Sequence, residues 1–155
     1  MDALKKRDDG TLILALSTIV MGADSNIGTW KINLVKSKYS PGPPPKSQTL
    51  KIEAWEDGIK YTADGIDAGG TATHAEASAK YGGKDYPFKG NPDADTLSYK
   101  RIDANTVEAV AKKGGKVTIT SKIVVSKDGK TRTLTQTGAD ARGRAVNNTL
   151  VYDKQ

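Results

Sequence analysis

The sequence predicts an all-β protein, a single antiparallel up-and-down meander of about ten strands closed into a barrel. Three observations carry this. Between Asp57 and Asp140 a tight-turn signal recurs about every ten residues, a spacing typical of short strands joined by hairpins. The signals are Asp57-Gly58, Asp64-Gly65, Gly69-Gly70, Gly82-Gly83, Asp103-Ala104-Asn105, Gly114-Gly115 and Asp128-Gly129, and such residues supply the positive φ angles of two-residue turns. The stretches between them alternate apolar with polar residues, the period of a half-buried strand. No helical stretch of three turns is evident beyond the first residues.

Taken in order, the first strand is Gly28–Val35, where Trp30, Ile32 and Leu34 share one face and Thr29, Lys31 and Asn33 the other. The segment Ser40-Pro41-Gly42-Pro43-Pro44-Pro45 cannot donate to a ladder and reads as an extended loop crossing one end of the barrel. Gln48–Trp55 follows, with Leu50, Ile52 and Ala54 on one face, then Ile59–Ala63 with Ile59 and Tyr61. Thr71–Tyr81 alternates small inward residues: Thr71, Thr73, Ala75, Ala77 and Ala79. Asp85–Phe88, Leu97–Ile102 and Thr106–Lys112 are shorter. Lys116–Ser126 turns Val117, Ile119, Ile123 and Val125 one way, and Thr131–Thr137 and Ala145–Tyr152 end the meander around the turn Asp140-Ala141-Arg142-Gly143.

A chain of 155 residues is one domain long. An apolar fraction of 36% suits a sheet with one wetted face better than a thick helical core. The net charge of +6 brings polyanions into consideration, yet the lysines fall on alternate strand positions or beside turns, where they keep a sheet soluble. No nucleic-acid motif occurs, and no nucleic-acid partner is expected. With no Cys there is neither disulfide nor thiolate metal site, so stability must come from closure and packing. Residues 1–23 read as a signal peptide or leader: Lys5, Lys6 and Arg7 precede a mostly apolar run from Thr11 to Gly22, with Gly22-Ala23 near a cleavage point. That run is too short to span a bilayer. A secreted or periplasmic barrel over residues 24–155 is expected, as a monomer or small homo-oligomer.

Small residues on the inner face leave volume, and tyrosines put donors near it. Ten strands make a barrel wider than eight, so a cavity is expected. Its polar contacts are read as Tyr61, Tyr81, Tyr99, Arg132 and Tyr152. Gly28-Thr29-Trp30-Lys31-Ile32, followed by the meander and closing on Leu150-Val151-Tyr152, resembles the calycin superfamily of lipocalins and fatty-acid-binding proteins, in a bacterial-type, secreted, lipocalin-like form. The resemblance covers about Ile27 to Gln155. It implies a calycin-like (lipocalin-like) barrel, a first-strand Trp packed across the closed end, and a small apolar or amphipathic ligand. Two departures stand out. Fatty-acid-binding proteins carry two lid helices where this chain has Ser37 to Lys46 with its prolines, and an Arg two residues before a last-strand Tyr where this chain has Leu150 before Tyr152.

Two clusters suggest other chemistry. His74 and Glu76 emerge on one strand face about 7 Å apart, as metal ligands or an acid/base pair would. Asn91, Asp93 and Asp95 stand at alternate positions like the start of a calcium loop, without the Gly and Glu that complete an EF-hand. If the turns carrying Asp64, Asp67 and Asp103 converge on this loop, a divalent cation, calcium foremost, would polarise an ester or phosphoester at the barrel mouth with His74 or Glu76 as base. A metal-dependent hydrolase is thus the alternative to a ligand-binding barrel. The two part on chelation, which should abolish hydrolysis and leave ligand binding intact.

Overall fold

The computed structural model describes residues 24–155, so the expected leader at 1–23 lies outside the described residues. Ten strands follow one another: β1 (Gly28–Ile32), β2 (Ser47–Trp55), β3 (Gly58–Ile66), β4 (Ala72–Lys80), β5 (Tyr86–Lys89), β6 (Thr96–Asp103), β7 (Thr106–Lys113), β8 (Lys116–Val125), β9 (Thr131–Ala139) and β10 (Ala145–Lys154). Every neighbour in sequence is a neighbour in space, and β10 pairs with β1 to close the barrel. The expected all-β meander is thus the observed fold.

The alternation read from the sequence sets the inner wall in layers. Across β8, β9 and β10 the register aligns Val125 with Arg132 and Tyr152, Ile123 with Leu134 and Leu150, and Ser121 with Gln136 and Asn148. The lower layers meet Trp30, Ile52, Ile59, Ala79 and Val107, all buried, to form a core filling one end. The opposite end keeps space.

The first strand differs from its expected extent. It ends at Ile32, and Leu34 and Val35 leave the sheet, Val35 being 97% exposed. Asn33 starts a turn by accepting the Lys36 N–H on its side-chain oxygen. The Ser37 hydroxyl then stands in for a backbone acceptor, taking the Val151 N–H at 2.9 Å. The chain rejoins the upper part of β10 through Lys38 and Thr149, which exchange both backbone bonds, and through Asn147 N–H to the Ser40 oxygen. From Ser40 the proline-rich segment crosses the mouth to Lys46, whose N–H is bound by Ile66 at the top of β3. This strap is the expected loop, tied at both ends to the wall.

The other end is plugged by the turn before β1. Asn26 is 2% exposed, and its backbone oxygen accepts the Trp30 indole N–H at 2.9 Å. Asp24 accepts the Tyr81 hydroxyl at 2.6 Å and an Arg101 N–H at 3.1 Å, with Arg101 lying 4.2 Å over the Tyr81 ring. Elements far apart in sequence are thereby pinned to one buried turn.

At the same end, Gly58 faces Lys80 across β3 and β4. A Cβ there would run into the Ala79 carbonyl oxygen, whereas one at Gly82 would meet nothing. Gly58→Ala should lower unfolding free energy by about 1–3 kcal/mol in urea titration, from forced overpacking. Gly82→Ala should leave the midpoint nearly unchanged.

Candidate functional site: the barrel interior

The open half of the barrel holds two connected lobes, one of about 290 Å³ and one of about 490 Å³. Tyr39, Pro43, Tyr61, Leu134 and Gln136 border both, so the strap and the centre of β9 divide a single interior. The smaller lobe is walled by β6 to β9 through Leu97, Tyr99, Ala109, Ala111, Ile119, Ser121 and Arg132. The larger is walled by β2 to β4 and β10 through Gln48, Leu50, Ala63, Ala75 and Tyr152. Volume exists because small side chains line it: Ala63, Ala75, Ala109 and Ala111 leave room that leucines would fill. Lobes of this size suit a small organic molecule.

Arg132 is the dominant electrostatic feature. Its side chain is 1% exposed, its Nε–H donates to Asn26 Oδ1 at 3.3 Å, and its Nη1 has no partner. Among the described residues no carboxylate forms an ion pair with it. Tyr152 lies beneath it with the guanidinium 6.0 Å from the ring centre. Burying an unpaired cation is costly, so it must be held in place. Asn26, fixed by its own bond to Trp30, does this.

The only other buried side-chain polar atom without a partner, among the described residues, is the Tyr39 hydroxyl on the strap. Both border the smaller lobe. Burial pushes the Tyr39 phenol up to about 12, with the neighbouring Tyr61 adding to the effect. Tyr61, Tyr99 and Tyr152 are also raised by burial, an effect that the Arg132 charge opposes at each. All are therefore neutral donors at ordinary pH. The Tyr152 hydroxyl donates to Gln48 Oε1.

Four of the five polar residues expected inside are there: Tyr61, Tyr99, Arg132 and Tyr152. Tyr81 is not. It sits at the plugged end, bound to Asp24 and tilted against Tyr99, outside both lobes. Tyr39, Ser121, Gln136 and Asn148 escaped the sequence reading. Tyr39 stands outside any alternating run, and the other three are polar residues at inward positions, where polarity hides the direction.

The hydrolase constellation does not assemble. His74 and Glu76 point outward on β4; His74 is exposed and meets Asp64 on β3 at 2.6 Å. Asp64 and Asp67 lie toward the mouth, whereas Asp103 lies in the β6–β7 turn at the plugged end. Asp67, Asn91 and Asp93 do border the larger lobe together, but turns alternate between ends in an up-and-down meander, so Asp103 cannot join them. One side-chain oxygen of each residue in the Asn91–Asp95 series binds backbone: Asn91 takes the Asp93 N–H, Asp93 takes the Ala141 N–H at 2.8 Å, and Asp95 takes the Gly114 N–H at 3.0 Å. They tie the mouth turns together. Among the described residues no group of three His, Asp or Glu side chains is arranged to hold a metal ion.

No protein-family model matches this chain, and no curated protein matches it by sequence. Among solved structures it is similar to the ileal bile acid-binding protein of zebrafish, crystallised in complex with cholic acid. The two share 12% identity and a TM-score of 0.50 over 84% of this chain and 99% of that one. At that identity the likeness concerns architecture: a calycin-like barrel of antiparallel strands.

The outward His74–Asp64 pair has a measurable consequence. The Asp64 hydrogen bond, ahead of the charges of Asp64 and Glu76, holds the His74 pKa above its ordinary value. A raised folded-state value means that the pair's contribution to stability is fully present below the ordinary pKa of about 6.5 and is lost as pH rises through the folded value. In an NMR titration the single imidazole should therefore titrate high in the wild type and return toward its ordinary value in Asp64→Asn.

Proposed function

We propose that this protein binds a small amphipathic molecule bearing an anionic group, held inside the barrel with Arg132 as counter-ion. One observation carries the reading: the two residues with a buried side-chain polar atom lacking a partner among the described residues, Arg132 (Nη1) and Tyr39 (Oη), both border the same lobe. A carboxylate or similar anion reaching Arg132 would gain charge-assisted hydrogen bonds from a guanidinium that is almost wholly buried. The apolar body of the ligand would lie against Leu97, Ile119, Ile123 and Leu134. The complex of the similarly folded zebrafish protein with cholic acid supports the class of ligand. The anion-binding Arg stands on β9 here rather than two residues before the last-strand Tyr, so the head group enters from a different wall.

The strap supplies the roof. Pro41, Gly42 and Pro43 border the smaller lobe, and the segment is anchored to β10 and β3.

Replacing Arg132 with an apolar residue of similar length separates binding from folding. Arg132→Met removes a buried uncompensated charge, and such replacements are often neutral or stabilising. The ligand-free variant should unfold at an unchanged or higher temperature. Its affinity for dodecanoate, by calorimetry, should fall by about 2 kcal/mol or more, with far less change for dodecanol. Equal losses for acid and alcohol would remove the counter-ion role.

A further inference from the structure

The inner wall carries a second polar level that the anion site does not use. Ser121 on β8, Gln136 on β9 and Asn148 on β10 lie side by side in register and form a hydrogen-bonded rung. Gln136 Nε2 donates to Ser121 Oγ at 3.3 Å, and Asn148 Nδ2 donates to Gln136 Oε1 at 3.1 Å. Asn148 Oδ1 in turn accepts the Ser40 N–H of the strap at 2.8 Å. All three residues border the lobe that contains Arg132. Between the levels lies an apolar layer, Ile123, Leu134 and Leu150. Arg132 and Gln136 are four residues apart on one face of one strand, about 13 Å by strand rise.

The rung is not saturated. Ser121 is 7% exposed, and its oxygen accepts from Gln136 while its own O–H makes no bond among the described residues. Gln136 and Asn148 each retain one amide N–H beyond the bonds described above. All of these groups are neutral. The charged side chains that border the same lobe, Asp93, Asp140 and Arg144, stand on the mouth turns, where Arg144 Nε donates to Asp140 Oδ2 at 2.7 Å and Asp93 Oδ1 accepts the Ala141 N–H. A hydroxyl reaching the rung would find both donors and acceptors there, without the cost of stripping an ionised group of water.

We infer that the ligand is bifunctional: an anionic head at Arg132, an apolar body across the Ile123–Leu134–Leu150 layer, and a neutral hydroxyl at the Ser121–Gln136–Asn148 rung. The inference rests on the anion-binding reading and adds the second group.

The test compares ω-hydroxydodecanoate with dodecanoate on the full chain by calorimetry. One to two neutral hydrogen bonds should favour the hydroxylated chain roughly three- to tenfold in the wild type. In Gln136→Met, and independently in Ser121→Ala, that ratio should collapse toward one. Arg132→Met should weaken both acids while leaving a preference for the hydroxyl. A wild-type ratio near one, or a ratio that survives both rung substitutions, overturns the hydroxyl site and leaves the anion site standing. Failure of the wild type to bind either acid overturns both.

Discussion

Closure is the constraint on which this structure depends. A sheet of ten short strands with so little apolar content cannot leave two edges in water, and pairing β10 with β1 removes both. Closure dictates that turns alternate between two ends, that one residue in two faces inward, and that the wall enclose a volume whose size follows from the strand number. It is not achieved by regular pairing alone. β1 holds only the lower part of β10, and the chain returns at Lys38–Ser40 to hold the upper part, with the Ser37 hydroxyl bridging the break. The same return launches the proline strap over the mouth, so one irregularity completes the barrel and roofs it.

The two ends are consequently unlike. At one, Asp24 and Asn26 draw Trp30, Tyr81, Arg101 and Arg132 into a packed polar plug. At the other, Asp93 and Asp95 each accept a backbone N–H of a neighbouring turn, while Asp140 accepts those of Arg144 and Arg142 in its own turn, which hold its carboxyl below the usual carboxylate range. Arg132, fixed by Asn26, stands where the plug meets the open lobe. A buried charge without a partner lowers the stability of the empty barrel, and proteins tolerate such groups where binding requires them.

Much of this was legible in the chain. Turn dipeptides and period-two alternation placed the strands, except that Asp64-Gly65, read as a turn, is paired on both sides inside β3, and the same alternation placed Tyr61, Tyr99, Arg132 and Tyr152 on the inner face. Alternation says which face, not which level, and it says nothing once a strand ends. Tyr81 has the inward parity of its strand but lies past its end, where Asp24 captures it. Leu34 continued the alternation of Trp30 and Ile32, yet the Asn33 turn removed it from the sheet. His74 and Glu76 were paired on one face correctly, and that face is the outer one.

By itself the sequence determined the class of fold, the meander order and the inward set, because these follow from local spacing: turn residues every few positions and side chains alternating across a strand. Tertiary structure alone decided which inward residues share a level, which turns share an end, and which polar groups remain unpaired. Those depend on inter-strand register and on contacts such as Asn26 with Arg132, separated by 106 residues. No local pattern records that distance; closing the barrel brings them together and leaves Arg132 on the wall of the cavity with its Nη1 unpaired.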